Sequence, residues 1–347
     1  MSSPLMKAVA FSRHLPIDDP EALQDIVLPR PQPGPRDLLV RVEAASVNPV
    51  DAKLRGPRPG APALLDQPRV LGFDAAGVVE AVGNEVELFQ PGDEVYYAGD
   101  ATRPGCNAQY HLVDERLVGP KPTTLDFAEA AALPLATITA WELLFERMPF
   151  HLDAEGNTRS LLVIGGAGGV GSMAIQLARH AGFIVIATAS RPQTQAWCRR
   201  MGAHHVIDHR QPLAPQLQAL GFASVDAAVN LADTDRYWDA LGELLAPQGH
   251  VGLIVEPTGA LRIGDPYKAK CIGIHWEFMF ARPRFRTADM IHHHRILTRV
   301  GSLVEAGELR STLTEVLGPI NAANLRQAHR RMESGSTIGK LVLAGWD

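Results

Sequence analysis

The run LLVIGGAGGVGSMAIQLA at 161–178 is where residue type and spacing point most directly to chemistry. An apolar strand leads into Gly165-Gly166-Ala167-Gly168-Gly169-Val170-Gly171, and a helix-forming stretch follows at once. Glycines in such a loop let backbone N–H groups approach a pyrophosphate, and the helix N-terminus adds about half a positive charge. A glycine-rich loop alone is a plain turn. Between a strand and a helix of a βαβ unit it is a dinucleotide-binding pattern, with Gly168, Gly169 and Val170 as the expected contacts. An NAD site carries an Asp or Glu at the end of the following strand, for the ribose 2′-OH. Here that strand ends ATASRPQ, placing Ser190 and Arg191 there. No acidic residue occurs between Glu155 and Asp208, whereas Arg159, Arg179, Arg191, Arg199 and Arg200 do. A carboxylate would repel a 2′-phosphate, and a guanidinium grips one with two hydrogen bonds. NADPH is the expected cofactor; the competing reading makes Arg191 a solvated surface residue.

Other reactive side chains are less suggestive. His292-His293-His294 falls in a predicted helix, where neighbours point about 100° apart, so a solvated face is expected rather than convergence on one ion. Cys106, Cys198 and Cys271 form no C-x-x-C, so a disulfide framework is not expected and a cytoplasmic location fits. The net charge of −5 disfavours nucleic acid, which needs a basic face. The start MSSPLMKAVAF lacks the apolar core of a signal peptide, and no run long enough to span a membrane is expected.

These groups need elements to hold them. A chain of 347 residues is long for one core, so two domains are the prior. The first third reads as short strands, KAVAF (7–11), DLLVRVEAASV (37–47), AAGVVEAVG (75–83) and GDEVYYAG (92–99), bounded by turn residues. DFAEAAALPLATITAWELLFERM (126–148) is helical in character and broken by Pro134. From Ser160 strands alternate with helices: 160–164, 183–189, 205–207, 225–232 and 249–255 as strands, with helices at 169–182 and 191–203 and in DRYWDALGELLAP. That rhythm predicts an α/β fold with a doubly wound parallel sheet. CIGIHWEFMF (271–280) reads as one more strand, TADMIHHHRILTRVGSLVEAG (287–307) as a long helix, and strand–helix–strand closes the chain.

Taken in order, SVNPVDAKLRG (46–56), VLGFDAAGVVEAVG (70–83), FQPGDEVY (89–96), AALPLATITAWELL (131–144), the glycine loop and NAANLRQAHRRMESGSTIGKLVL (321–343) resemble the medium-chain dehydrogenase/reductase superfamily. HWEFMF and the TADMI helix are similar to a bacterial subgroup labelled zinc-type alcohol dehydrogenase-like, close to the quinone oxidoreductases. The resemblance implies a GroES-like β-rich domain (1–130 and 285–347) around a Rossmann domain (131–284), with the active site in the cleft between them. It also implies cofactor-lining roles for Thr139, Leu231, Ile254 and Val255, and adenosine-side roles for His209 and Lys340.

A catalytic zinc needs three protein ligands and an open position. Where zinc enzymes of the superfamily place Cys, His and Cys, this chain has Asn48, Phe73 and, at or near the third position, Leu135. Asp74 matches the acidic neighbour of the missing His, and the four-Cys structural lobe is absent. No metal is expected. Without a Lewis acid, simple alcohols and ketones are poor substrates, and hydride transfer suits quinones or α,β-unsaturated carbonyls. Two donors are expected at the site, Asn48 and Lys53; the competing readings make Asn48 a turn cap and Lys53 a solvated cation, with Asp51 structural. Phe73 would supply an apolar wall, joined by Trp276, Phe278 and Met279 unless these are core residues of their strand. The resemblance implies a homodimer formed through 271–280, a strand that would be an aggregation hazard if bare. Two other readings compete: a zinc alcohol dehydrogenase, and a non-catalytic NADPH-binding sensor.

Overall fold

The computed structural model describes residues 4–153 and 156–347. The chain divides into two compact units, one of Met1–Leu135 with Phe280–Asp347, the other of Ala136–Met279.

In chain order the first unit begins with β1 (Leu5–Phe11), β2 (Gln24–Pro29), β3 (Asp37–Ser46), α1 (Pro49–Arg55), β4 (Arg69–Val70), β5 (Ala75–Val82), β6 (Glu94–Tyr97), β7 (Tyr110–Asp114), β8 (Val118–Pro120) and α2 (Phe127–Ala131). Helix α3 (Pro134–Glu142) and a π-helical turn at Leu143–Arg147 follow. Pro134 opens α3, which is why the apolar stretch breaks there: a proline is tolerated in the first turn of a helix and not in its interior. An Asp126–Glu129 capping box starts α2, each carboxylate accepting the other residue's N–H, at 2.7 and 3.1 Å. Contrary to the sequence expectation, Phe127–Arg147 is long and apolar enough to cross a membrane, and 83% of its most apolar window is buried inside the protein.

The second unit holds β9 (Ser160–Ile164), α4 (Gly169–His180), β10 (Ile184–Thr188), α5 (Pro192–Arg200), β11 (His205–Ile207), α6 (Leu213–Ala219), β12 (Val225–Asn230), α7 (Thr234–Leu244), β13 (Leu245–Leu253) and β14 (Gly273–Trp276). Its six strands are all parallel, in the order β11-β10-β9-β12-β13-β14. This is the Rossmann-like sheet that the strand–helix rhythm predicts. β9 is buried along its whole length, as a parallel strand covered on both faces must be.

The chain then returns to the first unit with α8 (Ala281–Phe285), α9 (His292–Glu305), β15 (Leu313–Val316), α10 (Ala322–Glu333) and β16 (Lys340–Ala344). A largely antiparallel sheet orders β15-β16-β3-β5-β6-β8, with β7 also on β3. This is the GroES-like part. Its last strand, β16, lies directly beside β3, with Val342 opposite Ser46.

Three expectations need correction. The strand expected at 271–280 is only Gly273–Trp276, and Trp276 and Phe278 are 47% and 49% exposed, so neither is a core residue. Met279 is buried. The helix expected from 287 starts at His292, because Asp289 holds Thr287 and Arg282 in a local turn ahead of it. The histidine run is not a solvated face: His293 is fully buried with Ile296, Leu297 and Val300 on the core stripe of α9, and His294 Nδ1 lies 2.7 Å from the Val118 carbonyl.

Candidate functional site

In the Rossmann-like unit the glycine loop is shaped by two close constraints. Gly165 has φ of +83°, a left-handed conformation that favours glycine. A Cβ on Gly171 would lie 2.3 Å from the Gly165 carbonyl oxygen, so α4 can pack on the turn only with glycine there. The loop is tied to the next strand, with the Gly165 N–H donating to Thr188 Oγ1 at 3.1 Å. Helix α4 starts with Gly168 as its cap, which carries no side chain to cover the N-terminus. The Gly168 N–H closes the turn on the Gly165 carbonyl at 3.2 Å, and the first N–H groups of the helix that follows, at Gly169 and Val170, have no partner within it and offer donors where an anion would sit.

Parallel strands place all their carboxyl ends on one edge. Ser190 and Arg191 follow β10, Leu231 follows β12, Ile254 and Val255 follow β13, and Trp276 ends β14. The topology therefore gathers the expected dinucleotide residues of this unit along the edge where open α/β sheets bind ligands. Thr139 is buried on α3.

The end of β10 is strongly basic. Arg210 donates to the Ser190 carbonyl at 2.8 Å and pairs with Asp208 at 2.6 Å. Arg236 donates to the His209 carbonyl at 3.0 Å. Burial holds the His209 imidazole below its usual range, against the pull of Asp208, and the Arg236, Arg210 and Arg191 charges push the same way. The structure thus brings Ser190, Arg191 and His209 together and adds Arg210 and Arg236, which sequence reasoning missed. Arg236 was detectable only through Asp233, which caps the helix carrying it by accepting the Arg236 N–H at 3.0 Å.

In the GroES-like unit the three positions tested for zinc meet around Asp74. Asn48 caps α1 and its N–H donates to Asp51 Oδ2 at 2.8 Å. Asp51 Oδ1 accepts the Gly72 N–H at 3.0 Å, which fixes the turn into Phe73. Asn48 Nδ2 donates to Asp74 Oδ2 at 2.8 Å and to the Phe73 carbonyl at 3.4 Å. The other Asp74 oxygen accepts the Leu135 N–H at 2.7 Å. Lys340 enters from β16. Its ammonium donates to Asp74 Oδ2 at 2.8 Å, to the Val47 carbonyl at 3.1 Å and to Asn48 Oδ1. Three acceptors match the three N–H bonds of an ammonium. Lys340 is 2% exposed, so its charge is internal and directed at Asp74.

The electrostatics follow from burial. Desolvation raises the Asp74 carboxyl above its usual range, and Lys340 opposes it by charge and hydrogen bond. Desolvation raises Asp51 to about 7, against its two backbone donors and Lys340, and the Asp74 charge adds to the rise. Burial also pushes the Cys106 thiol far up, while its Sγ donates to the Asp74 carbonyl at 3.3 Å.

These residues do not fit zinc. The ammonium already sits against Asp74, the carboxylate next to Phe73, the Asn48 carboxamide is engaged at both ends, and the Phe73 ring is buried edge-on to Phe280, centroids 5.4 Å apart. Among the described residues no group of three or more His, Cys, Asp or Glu could hold a metal ion. Lys53 lies elsewhere on α1. It is exposed and borders a cavity of about 640 Å³, together with Ile17, Pro49, Met332 and Glu333.

Comparison with known proteins agrees with the GroES-like and Rossmann-like folds of the two units. Residues 34–123 match the alcohol dehydrogenase GroES-like domain, and 201–343 match the zinc-binding dehydrogenase domain. A zinc-type alcohol dehydrogenase-like protein of Staphylococcus aureus is 41% identical over 97% of this chain and 99% of its own length. A structure from Rhizobium etli, assigned to the zinc-dependent alcohol dehydrogenases, is 50% identical with a TM-score of 0.92, covering 99% of both chains. The quinone oxidoreductase of Coxiella burnetii is 28% identical with a TM-score of 0.78, covering 98% of this chain and 99% of its own.

Proposed function

The chain belongs to the medium-chain dehydrogenase/reductase superfamily, in its quinone oxidoreductase-like subgroup, and from that premise we propose that it is an NADPH-dependent, zinc-independent reductase of quinones or α,β-unsaturated carbonyls. The observation that carries the reading is the Lys340–Asp74–Asn48 cluster, in which an internal cation and Asp74 engage Asn48 at one position that would otherwise hold a metal and Asp74 accepts the Leu135 N–H at another.

When bound, the nicotinamide supplies a hydride. The glycine loop and the N-terminus of α4 hold the pyrophosphate through backbone N–H groups and the helix dipole. Arg191, Arg210 and Arg236, with His209, surround the place for a 2′-phosphate and neutralise it. Asn48 and Lys340 direct their N–H bonds inward, so they brace the site rather than donate to the acceptor. An acceptor reduced without a Lewis acid or these donors has to spread the incoming charge over its own conjugated system, as quinones and enones do. Lys340 belongs to that brace, and the adenosine end is left to the β10 cluster.

The test is NADPH consumption by EDTA-treated protein offered quinones, enones and simple ketones. Turnover of quinones or enones that survives chelation is the expected result. Turnover of simple ketones alone, lost on chelation and restored by zinc, overturns the reading, and no turnover with tight NADPH binding would make the protein a sensor. Arg191→Ala is expected to weaken NADPH by about tenfold or more while leaving NADH binding unchanged. Equal losses for both would remove the 2′-phosphate assignment. A homodimer through the open edge of β14 is part of the same reading, and light scattering on the intact protein decides it.

A further inference from the structure

Two carboxylic acids that the reaction above does not use lie in the interior of the Rossmann-like unit. The side chains of Glu142, at the end of α3, and Glu277, just past β14, are both 0% exposed. Arg147 bridges them: its Nε donates to Glu277 Oε2 at 2.8 Å and its Nη2 to Glu142 Oε2 at 3.0 Å. The π-helical turn makes the bridge possible. Its wider winding, closed by the Met148 N–H on the Leu143 carbonyl at 3.1 Å, puts residues five apart on one face, so Arg147 reaches back to Glu142.

Charge and hydrogen bonding fail to close if both acids are ionised. One guanidinium would face two buried carboxylates, leaving one negative charge out of water, which is strongly unfavourable. Glu277 Oε1 would also be buried with no donor. A single proton resolves both problems. On Glu277 it makes the trio neutral and supplies the donor for the hydrogen bond between the Glu277 and Glu142 carboxyls. Burial, and then the neighbouring Glu142 charge, push the Glu277 carboxyl far above the usual range, with Arg147 opposing.

The pair sits behind residues assigned above to the dinucleotide. Thr139 is one helical turn before Glu142 on α3, on the same face. The Glu277 N–H donates to the Leu253 carbonyl at 2.9 Å, directly before Ile254 and Val255. We propose that Glu142 and Glu277 share one proton and, clamped by Arg147, are positioning residues that fix the Thr139 turn and the Ile254–Val255 segment against the bound dinucleotide. The assignment rests on the reading above that those residues line the cofactor site.

The experiment measures NADPH and NADH binding by nucleotide fluorescence across pH, with infrared spectra of the carboxylic C=O stretch, for the full-length wild type, Glu277→Gln, Glu142→Gln and Glu277→Leu. A glutamine at either position supplies by its amide the hydrogen that the proton supplies. Both amide variants are therefore expected to bind as tightly as wild type at neutral pH, and Glu277→Leu about tenfold more weakly. Wild-type binding should weaken in the alkaline range as the shared proton leaves, and Glu277→Gln should lack that limb. At about pH 8.5, where ordinary carboxyls are ionised, a protonated carboxyl band is expected in wild type and absent from both amide variants. Amide variants as weak as Glu277→Leu, an unchanged alkaline limb in Glu277→Gln, or no such band in wild type would overturn the proposal. Should Glu277→Leu not fold, the two amide variants and the band decide alone. A wild type that binds neither dinucleotide removes the cofactor reading and the positioning role with it, while the band independently settles the shared proton.

Discussion

Each unit sets one cation against two buried carboxylates, Lys340 enclosed and Arg147 with 30% of its side chain exposed, and the two clusters handle the surplus negative charge differently. In the GroES-like unit Lys340 pairs with Asp74, and the second carboxylate, Asp51, takes two backbone donors, the N–H groups of Asn48 and Gly72. In the Rossmann-like unit Arg147 serves both acids, and Glu277 keeps one oxygen with no donor. Burial raises Asp51 only to about 7, because two N–H dipoles stabilise its anion; Glu277 lacks them and is raised further. The contrast shows that backbone donors can keep a buried acid within reach of neutral titration, whereas a shared cation without them leaves it protonated.

The comparison breaks most sharply at Lys340. Lys340→Met leaves Asp74 buried with only Asn48 and Leu135 as donors and is expected to cost about 3 kcal/mol, read from urea unfolding. A loss below about 1 kcal/mol would mean that Asp74 is neutral and the pair is not ionic. Asp51→Asn comes next, at about 2 kcal/mol, because an amide can accept one of the two N–H groups and turns its own N–H toward the other.

The pH dependence sharpens the same contrast. An unfolded Asp releases its proton near pH 3.9, whereas folded Asp51 keeps one to about 7. Between those values the native state binds more protons, so stability falls as pH rises, by at most about 1.4 kcal/mol per pH unit for this group. Above about 7 the Asp51 contribution is level. Glu277 has the same sign: its native proton is held beyond the unfolded value of about 4.3, so its decline continues into the alkaline range. Glu277→Gln should remove that alkaline decline while changing stability by less than about 0.5 kcal/mol at about pH 3, where the wild-type acid is protonated in both states. A slope that persists in the variant would assign it to another group.

Much of the Rossmann-like unit was legible in the chain, because buried parallel strands and amphipathic helices leave strong periodic signals, and the strand HVI at 205–207 coincides with β11. The glycine loop was readable because its conformation and close packing admit almost no other residue. The absence of zinc ligands at Asn48, Phe73 and Leu135 was also visible. What replaces them was not, since Lys340 lies 266 residues from Asp74 and no local pattern links them. Glu277 was hidden inside an apolar segment that reads as one strand, although its buried side chain lies just past the strand's true end. Arg210 and Arg236 escaped notice because only the fold brings their separate segments to Ser190 and His209.

The closing strand β16 has a consequence for biosynthesis. It completes its sheet beside β3 and delivers the Lys340 ammonium to Asp74. On a ribosome adding roughly 5–20 residues per second, Asp74 waits roughly 15–50 s for that countercharge, while the whole of 136–279 has already emerged as a contiguous stretch. The GroES-like unit therefore cannot complete its sheet beside β3 or bring a countercharge to Asp74 until β16 has emerged.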